Sequence, residues 1–73
     1  MRPSKDPVPI VLNGEERLVA AGTSLEELVA ALGLGRRGVA VALDGEVIPR
    51  SSWEHCTVRA GARVEIVSAA AGG

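Results

Sequence analysis

The segment Gly22-Thr23-Ser24-Leu25-Glu26-Glu27-Leu28-Val29-Ala30-Ala31-Leu32-Gly33 carries both ends of a helix and an apolar stripe between them. Leu25, Leu28, Val29 and Leu32 recur at i, i+3, i+4 and i+7, which places them on one helical face. Thr23 or Ser24 supplies the cap. Each has a glutamate three residues on, Glu26 or Glu27, at the spacing of a capping box. Both glutamates also fall in the first turn, where the helix dipole favours negative charge. Gly33 closes the element at a left-handed position, which puts Leu34 where it can fold back on Val29. A helix of roughly ten residues with one apolar face cannot form a core by itself, so the flanking sequence must provide a sheet for it to lie on.

The flanks read as strands. Upstream, the apolar run Val8–Leu12 is followed by Asn13-Gly14 and then Glu15-Glu16-Arg17-Leu18-Val19. Asn-Gly between two such runs signals an antiparallel hairpin, because both residues tolerate positive φ. Downstream of a Gly35-Arg36-Arg37-Gly38 loop, Val39-Ala40-Val41-Ala42-Leu43 alternates large and small. This period of two sets Val39, Val41 and Leu43 on one face and two alanines on the other. Asp44-Gly45 turns the chain into Glu46-Val47-Ile48, and Pro49 confines that strand to an edge. Residues 50–55 read as a connection holding Trp53, Thr57-Val58 as a short stub, Gly61 as a turn, and 63–67 as the last strand. The order predicts an α+β roll: a mixed sheet of four to five strands packed on one main helix. The expected organisation is a flexible N-terminal arm over 1–7, one domain over 8–67 and a flexible tail over 68–73.

Composition narrows the function. In 73 residues, 47% are hydrophobic and 23% charged, with 8 basic against 9 acidic side chains and a net charge of −1. That balance offers no footprint for a nucleic-acid backbone, and no basic amphipathic helix or long apolar run points to a membrane. Residues 1–7 lack the apolar stretch of a secretory signal, and a single cysteine forms no internal disulfide. The expectation is a soluble cytoplasmic domain, monomeric when free.

No self-contained catalytic site is legible. His55 and Cys56 are sequence neighbours on an extended segment, so they point to opposite faces and are poorly placed as a base and nucleophile. One His and one Cys fall short of a zinc ligand set. The glycines are scattered and form no phosphate loop. Glu15-Glu16, Glu26-Glu27 and Arg36-Arg37 read as solvated surface. Trp53, the sole aromatic residue, either plugs the edge of the core or stands on a partner surface. Ala40 and Ala42 are either ordinary strand alanines or part of an interaction patch, since one helix covers one face of the sheet only.

What remains is the end of the chain, Ser68-Ala69-Ala70-Ala71-Gly72-Gly73. Six residues beyond Val67, fully extended, reach about 20 Å. Ala71, Gly72 and Gly73 keep the segment thin enough to thread a partner's channel. The Gly73 carboxylate is inert as it stands. Esterified to AMP, its carbon becomes an electrophile that sulfur can attack, giving a thiocarboxylate able to hand sulfur on.

Taken together these segments resemble the ThiS family of sulfur carriers, in the ubiquitin-like β-grasp group. The resemblance is carried by Asn13-Gly14-Glu15, Thr23-Ser24-Leu25-Glu26-Glu27-Leu28, Val39-Ala40-Val41-Ala42-Leu43-Asp44-Gly45, Val47-Ile48-Pro49-Arg50-Ser51-Ser52-Trp53, and Val64-Glu65-Ile66-Val67 with Gly72-Gly73. Val-Ile-Pro-Arg-x-x-Trp combined with terminal Gly-Gly is its most specific part. The likeness covers residues 8–73 and implies a β-grasp fold over 8–67 and a carrier in thiamin biosynthesis with no catalytic residues or permanently bound cofactor. An E1-like (ThiF-type) adenylyltransferase would activate Gly73 with ATP and Mg²⁺. Sulfur from a cysteine desulfurase would follow, and a thiazole synthase (ThiG-type) would receive it. Ala40, Ala42, Arg50 and Trp53 form the candidate partner surface. The competing readings are a carrier for another pathway (molybdopterin synthase small subunit, cysteine or a secondary metabolite) and a ubiquitin-like protein modifier. Two departures stand out: Ala60-Gly61-Ala62 replaces the family's usual acidic turn, and Asp44 stands where asparagine is frequent.

Overall fold

The computed structural model describes residues 6–35 and 37–69. Five strands, β1 (Val8–Leu12), β2 (Glu15–Val19), β3 (Val39–Leu43), β4 (Glu46–Ile48) and β5 (Arg63–Ser68), surround one α-helix, α1 (Leu25–Ala31). They form a single mixed sheet in the order β2-β1-β5-β3-β4. The last strand is thus central. It runs parallel to β1 through Val11↔Arg63 and Leu12↔Val64, and antiparallel to β3 from Leu43↔Val64 to Val39↔Ser68. Such an arrangement of a mixed sheet clasping one helix is the β-grasp roll. β5 ends at Ser68, so the strand runs one residue into the segment expected to be tail. Residues 1–5 of the expected arm and 70–73 of the tail lie outside the described residues.

Local chemistry sets each element. Ser24, rather than Thr23, is the cap: its hydroxyl accepts from the Glu27 N–H at 3.1 Å, and the Glu27 carboxylate accepts from the Ser24 N–H at 2.9 Å. Glu27 therefore has a structural job and is not simply a solvated acid. Gly33 takes φ 73, as a helix stop requires. Leu34, expected to fold back on Val29, is instead among the exposed apolar side chains, while Val29 is buried. The hairpin between β1 and β2 turns on Asn13 and Gly14 with φ 51 and 83, the pair of positive values that a tight turn between twisted strands needs.

Period-two alternation then sorts the sheet into two faces. Ile10, Leu12, Val41, Val64 and Ile66 point inward and meet Leu25, Leu28 and Val29 of α1 in one buried cluster. The segment 50–55, expected as an irregular connection, is a 3-10 helix (Arg50–His55) capped by Pro49, and it packs against α1. Proline fixes the extended entry, and the next turn tightens to i→i+3 bonding as Ser52 N–H reaches Pro49 O. The stub at Thr57-Val58 forms an isolated antiparallel bridge from Thr57 to Ser24, and the Val58 N–H donates to Thr23 O at 2.9 Å.

Both departures from the family pattern are absorbed. At Ala60-Gly61-Ala62 the Gly61 N–H donates to Pro9 O at 2.7 Å, and the buried Ala62 accepts from Val11 N–H at 2.9 Å, so the turn closes through its backbone. Asp44 accepts from the Arg63 N–H at 2.9 Å through Oδ1 and donates its own N–H to Arg63 O, tying the β3–β4 turn to β5.

Candidate functional site

Residues that alternate with the core positions necessarily face the other side of the sheet, away from α1. On β3, β4 and β5 these are Ala40 and Ala42, Val47, and Arg63, Glu65 and Val67. The strand register places Ala40 beside Val67, and Ala42 between Val47 and Glu65. Val47 is 73% exposed and Val67 63%. Two valines and two alanines thus make an uncovered apolar patch at one end of the face. Isolated exposed apolar side chains are ordinary, but four adjoining ones on three neighbouring strands are the composition of an interaction surface.

The patch adjoins the root of the tail. β5 carries Val67 and ends at Ser68, and the Ala69 N–H donates to Gly38 O at 2.7 Å. Around this point lies a shallow depression of about 580 Å³ whose lining includes Gly38, Ala40, Arg50, Val67, Ser68 and Ala69. A partner seated on the apolar patch would therefore lie next to the point where the last residues leave the sheet. Arg50, exposed at the first position of the 3-10 helix, sets a cation on the rim.

The structure sorts the sequence-predicted residues. Ala40 and Arg50 line the same depression, and Ala42 lies two residues along β3 on the same face. Trp53 does not: its side chain is 1% exposed and its Nε1–H donates to Ile48 O at 3.0 Å. This corrects its place on the candidate partner surface. As the sole aromatic residue in a small chain, it fills the core beneath the end of β4 and satisfies its one polar atom there. Its link to recognition is indirect, through holding β4 in place. Gly73, Gly72 and Ala71 lie outside the described residues.

Val47 and Val67 were missed as surface residues. The signal was present in parity: with Val64 and Ile66 inward, Val67 must point out. A second exposed leucine, Leu18, is 70% exposed beside Pro9 at the opposite end of the same face. His55 is on the surface 3.5 Å from Glu54, and Cys56 is half-buried against the core. Among the described residues no cluster of histidine, cysteine and acidic side chains could hold a metal ion, and no helix is long and apolar enough to cross a membrane.

Comparison with known proteins places these features in context. The profile of the ThiS family matches residues 10–73. The sulfur carrier protein ThiS of Escherichia coli is 30% identical over 64 residues, covering 88% of this chain and 97% of that protein. The crystal structure of the thiamine biosynthesis protein ThiS from Geobacter metallireducens superposes with a TM-score of 0.76 at 32% identity, over 90% of this chain and all of that one. A thiazole synthase from Paramagnetospirillum magneticum is 41% identical over 64 residues, and this chain spans only 20% of its length.

Proposed function

Because the chain belongs to the ThiS family, we propose that it is the sulfur carrier for thiazole formation in thiamin biosynthesis, with the Gly73 carboxylate as its working group. An E1-like, ThiF-type adenylyltransferase joins that carboxylate to the α-phosphorus of ATP with Mg²⁺, expelling pyrophosphate. A persulfide formed from cysteine by a desulfurase then attacks the acyl carbon through its terminal sulfur and AMP leaves; a thiol cleaves the resulting acyl disulfide, departing as a disulfide with the sulfur donor. The thiocarboxylate so formed donates its sulfur to a ThiG-type thiazole synthase. The chain acts as carrier and co-substrate in the cytoplasm, monomeric when free, and its partners supply the catalytic groups.

The observation that carries this reading is the position of the apolar patch at the root of the tail. A docking surface formed by Ala40, Ala42, Val47 and Val67 leaves four residues beyond Ala69 to reach the partner's active site, about 14 Å when extended. A body that docks and an end that enters is the division of labour a carrier needs. The thiazole synthase from Paramagnetospirillum magneticum supports the choice of acceptor, since a segment amounting to 20% of its length matches this chain at 41% identity. That match favours the thiamin pathway over a molybdopterin or protein-modifier role.

Intact-mass spectrometry tests the proposal. Incubated with a ThiF-type enzyme, ATP, Mg²⁺ and a sulfur source, the chain should gain the mass difference between one sulfur and one oxygen. A variant lacking Gly73 should gain nothing. An unchanged mass with an enzyme that loads another carrier would refute the reading, and stable adducts on lysines of other proteins would replace it with a modifier role.

A further inference from the structure

β5 is held on its two sides unequally. Its pairing with β3 continues to Val39↔Ser68. Main-chain pairing with β1 covers only Val11↔Arg63 and Leu12↔Val64, because the chain then turns at Asn13 and Gly14 into β2. At that point a side chain takes over. The Asn13 N–H still reaches Val64 O at 2.9 Å. Beyond it, Asn13 Oδ1 accepts from the Ile66 N–H at 2.9 Å, and Asn13 Nδ2 donates to Ile66 O at 3.1 Å. A carboxamide carries the same donor and acceptor as a peptide group, so this pair of bonds imitates one more step of a strand.

The turn and the clasp require the same residue. Asn13 sits at φ 51, where asparagine is among the few side chains that are tolerated. Ile66 lies one residue before the exposed Val67 and three before Ala69, whose N–H on Gly38 O is the last backbone bond described before the tail. Without the carboxamide, the Ile66 peptide groups would lose both of these bonds on the β1 side of the strand.

We infer that Asn13 is a positioning residue for the reactive terminus: by clasping Ile66 it fixes the root from which the tail is presented to partner enzymes. What the terminus does rests on the sulfur-carrier reading; how its root is held does not. Local opening follows the bonds that must break to allow it, so the effect should concentrate at the end of β5 rather than spread through the domain.

The test uses Asn13→Gly, which keeps the left-handed turn and removes the carboxamide, and Asn13→Asp, which keeps the acceptor for the Ile66 N–H and loses the donor. In Asn13→Gly, amide exchange at Ile66 and Ala69 should accelerate by about tenfold or more. The Val11 and Leu25 amides, bonded to Ala62 O and Cys56 O, should keep their protection. Asn13→Asp should fall between wild type and Asn13→Gly. In thiocarboxylate formation, kcat should fall several-fold while KM rises by less than twofold, because Ala40, Ala42 and Val47 stay in place and Val67, on the loosened end of β5, keeps its side chain. Equal acceleration at all four amides, or an unchanged Ala69, would reduce Asn13 to a turn residue and overturn the inference. So would a loosened Ala69 with kcat intact. The exchange measurement is made on the free protein, so a wild type that gains no sulfur would refute the carrier reading while leaving this arm decisive for the clasp.

Discussion

Val67→Asp is the most informative single substitution in this chain. Val67 is 63% exposed at the tail's root, on the face away from the core. Fully burying a valine is worth about 1.5–3 kcal/mol, so the fraction still open to a partner represents about 1–2 kcal/mol of docking energy. The aspartate loses that contribution and brings a carboxylate that must be partly dehydrated against an apolar surface, at a further cost of at least about 1 kcal/mol. The sum, about 2–3 kcal/mol, corresponds to roughly a 30- to 150-fold weaker complex. It should appear as a raised KM for the carrier in thiocarboxylate formation, followed by intact mass, with kcat unchanged because the tail is untouched. Thermal stability should move little, since the side chain faces solvent in the free protein and the strand-propensity scale spans only about 1 kcal/mol. Leu18→Asp is the matched control. That side chain is 70% exposed on the same face, but it lies on β2, with β1, β5 and β3 between it and β4. It should leave KM at the wild-type value. If Leu18→Asp raises KM as much as Val67→Asp, the docking patch has been put at the wrong end of the sheet. If Val67→Asp lowers kcat at constant KM, the residue acts on tail presentation and not on docking.

Two further predictions concern the body that holds this surface. Trp53→Ala removes a side chain that is 1% exposed and should cost about 3–5 kcal/mol. A domain of this size has only about 4–11 kcal/mol in total, so the urea midpoint should drop by about a quarter or more, and a shift of less than a tenth would show that the indole is dispensable. Ser24→Ala breaks one half of the capping box and should cost about 1 kcal/mol, lowering Tm by roughly 4–8 °C. An unchanged Tm would mean that the Glu27 carboxylate on the Ser24 N–H suffices to start α1.

Much of the architecture was legible because its signals are local. Ser24 and Glu27 are three residues apart, and Gly33 closes the same helix. Asn13-Gly14 needs only its own two φ values to make a hairpin. Val39 to Leu43 declares its faces by parity. The apolar patch is half legible by the same rule: Ala40 and Ala42 alternate with larger residues, whereas Val47 and Val67 are of the residue type that fills strand interiors, and their register on β3 shows that they face out. Trp53 could not be placed by sequence, since an indole suits either a core or an interface, and its burial depends on the volume left between β4, the 3-10 helix and α1. The Asn13 clasp was invisible for a simpler reason. Its partner, Ile66, lies 53 residues away.

The sequence by itself determined the α-helix, the strands and the alternation of their faces, because propensity, capping and periodicity act between near neighbours in the chain. Tertiary structure decided that β5 enters the middle of the sheet, parallel to β1 and antiparallel to β3. That choice depends on pairings between distant segments, which no local pattern encodes. It is also what gathers Val67, Ala40, Ala42 and Val47 into one patch beside the end of β5.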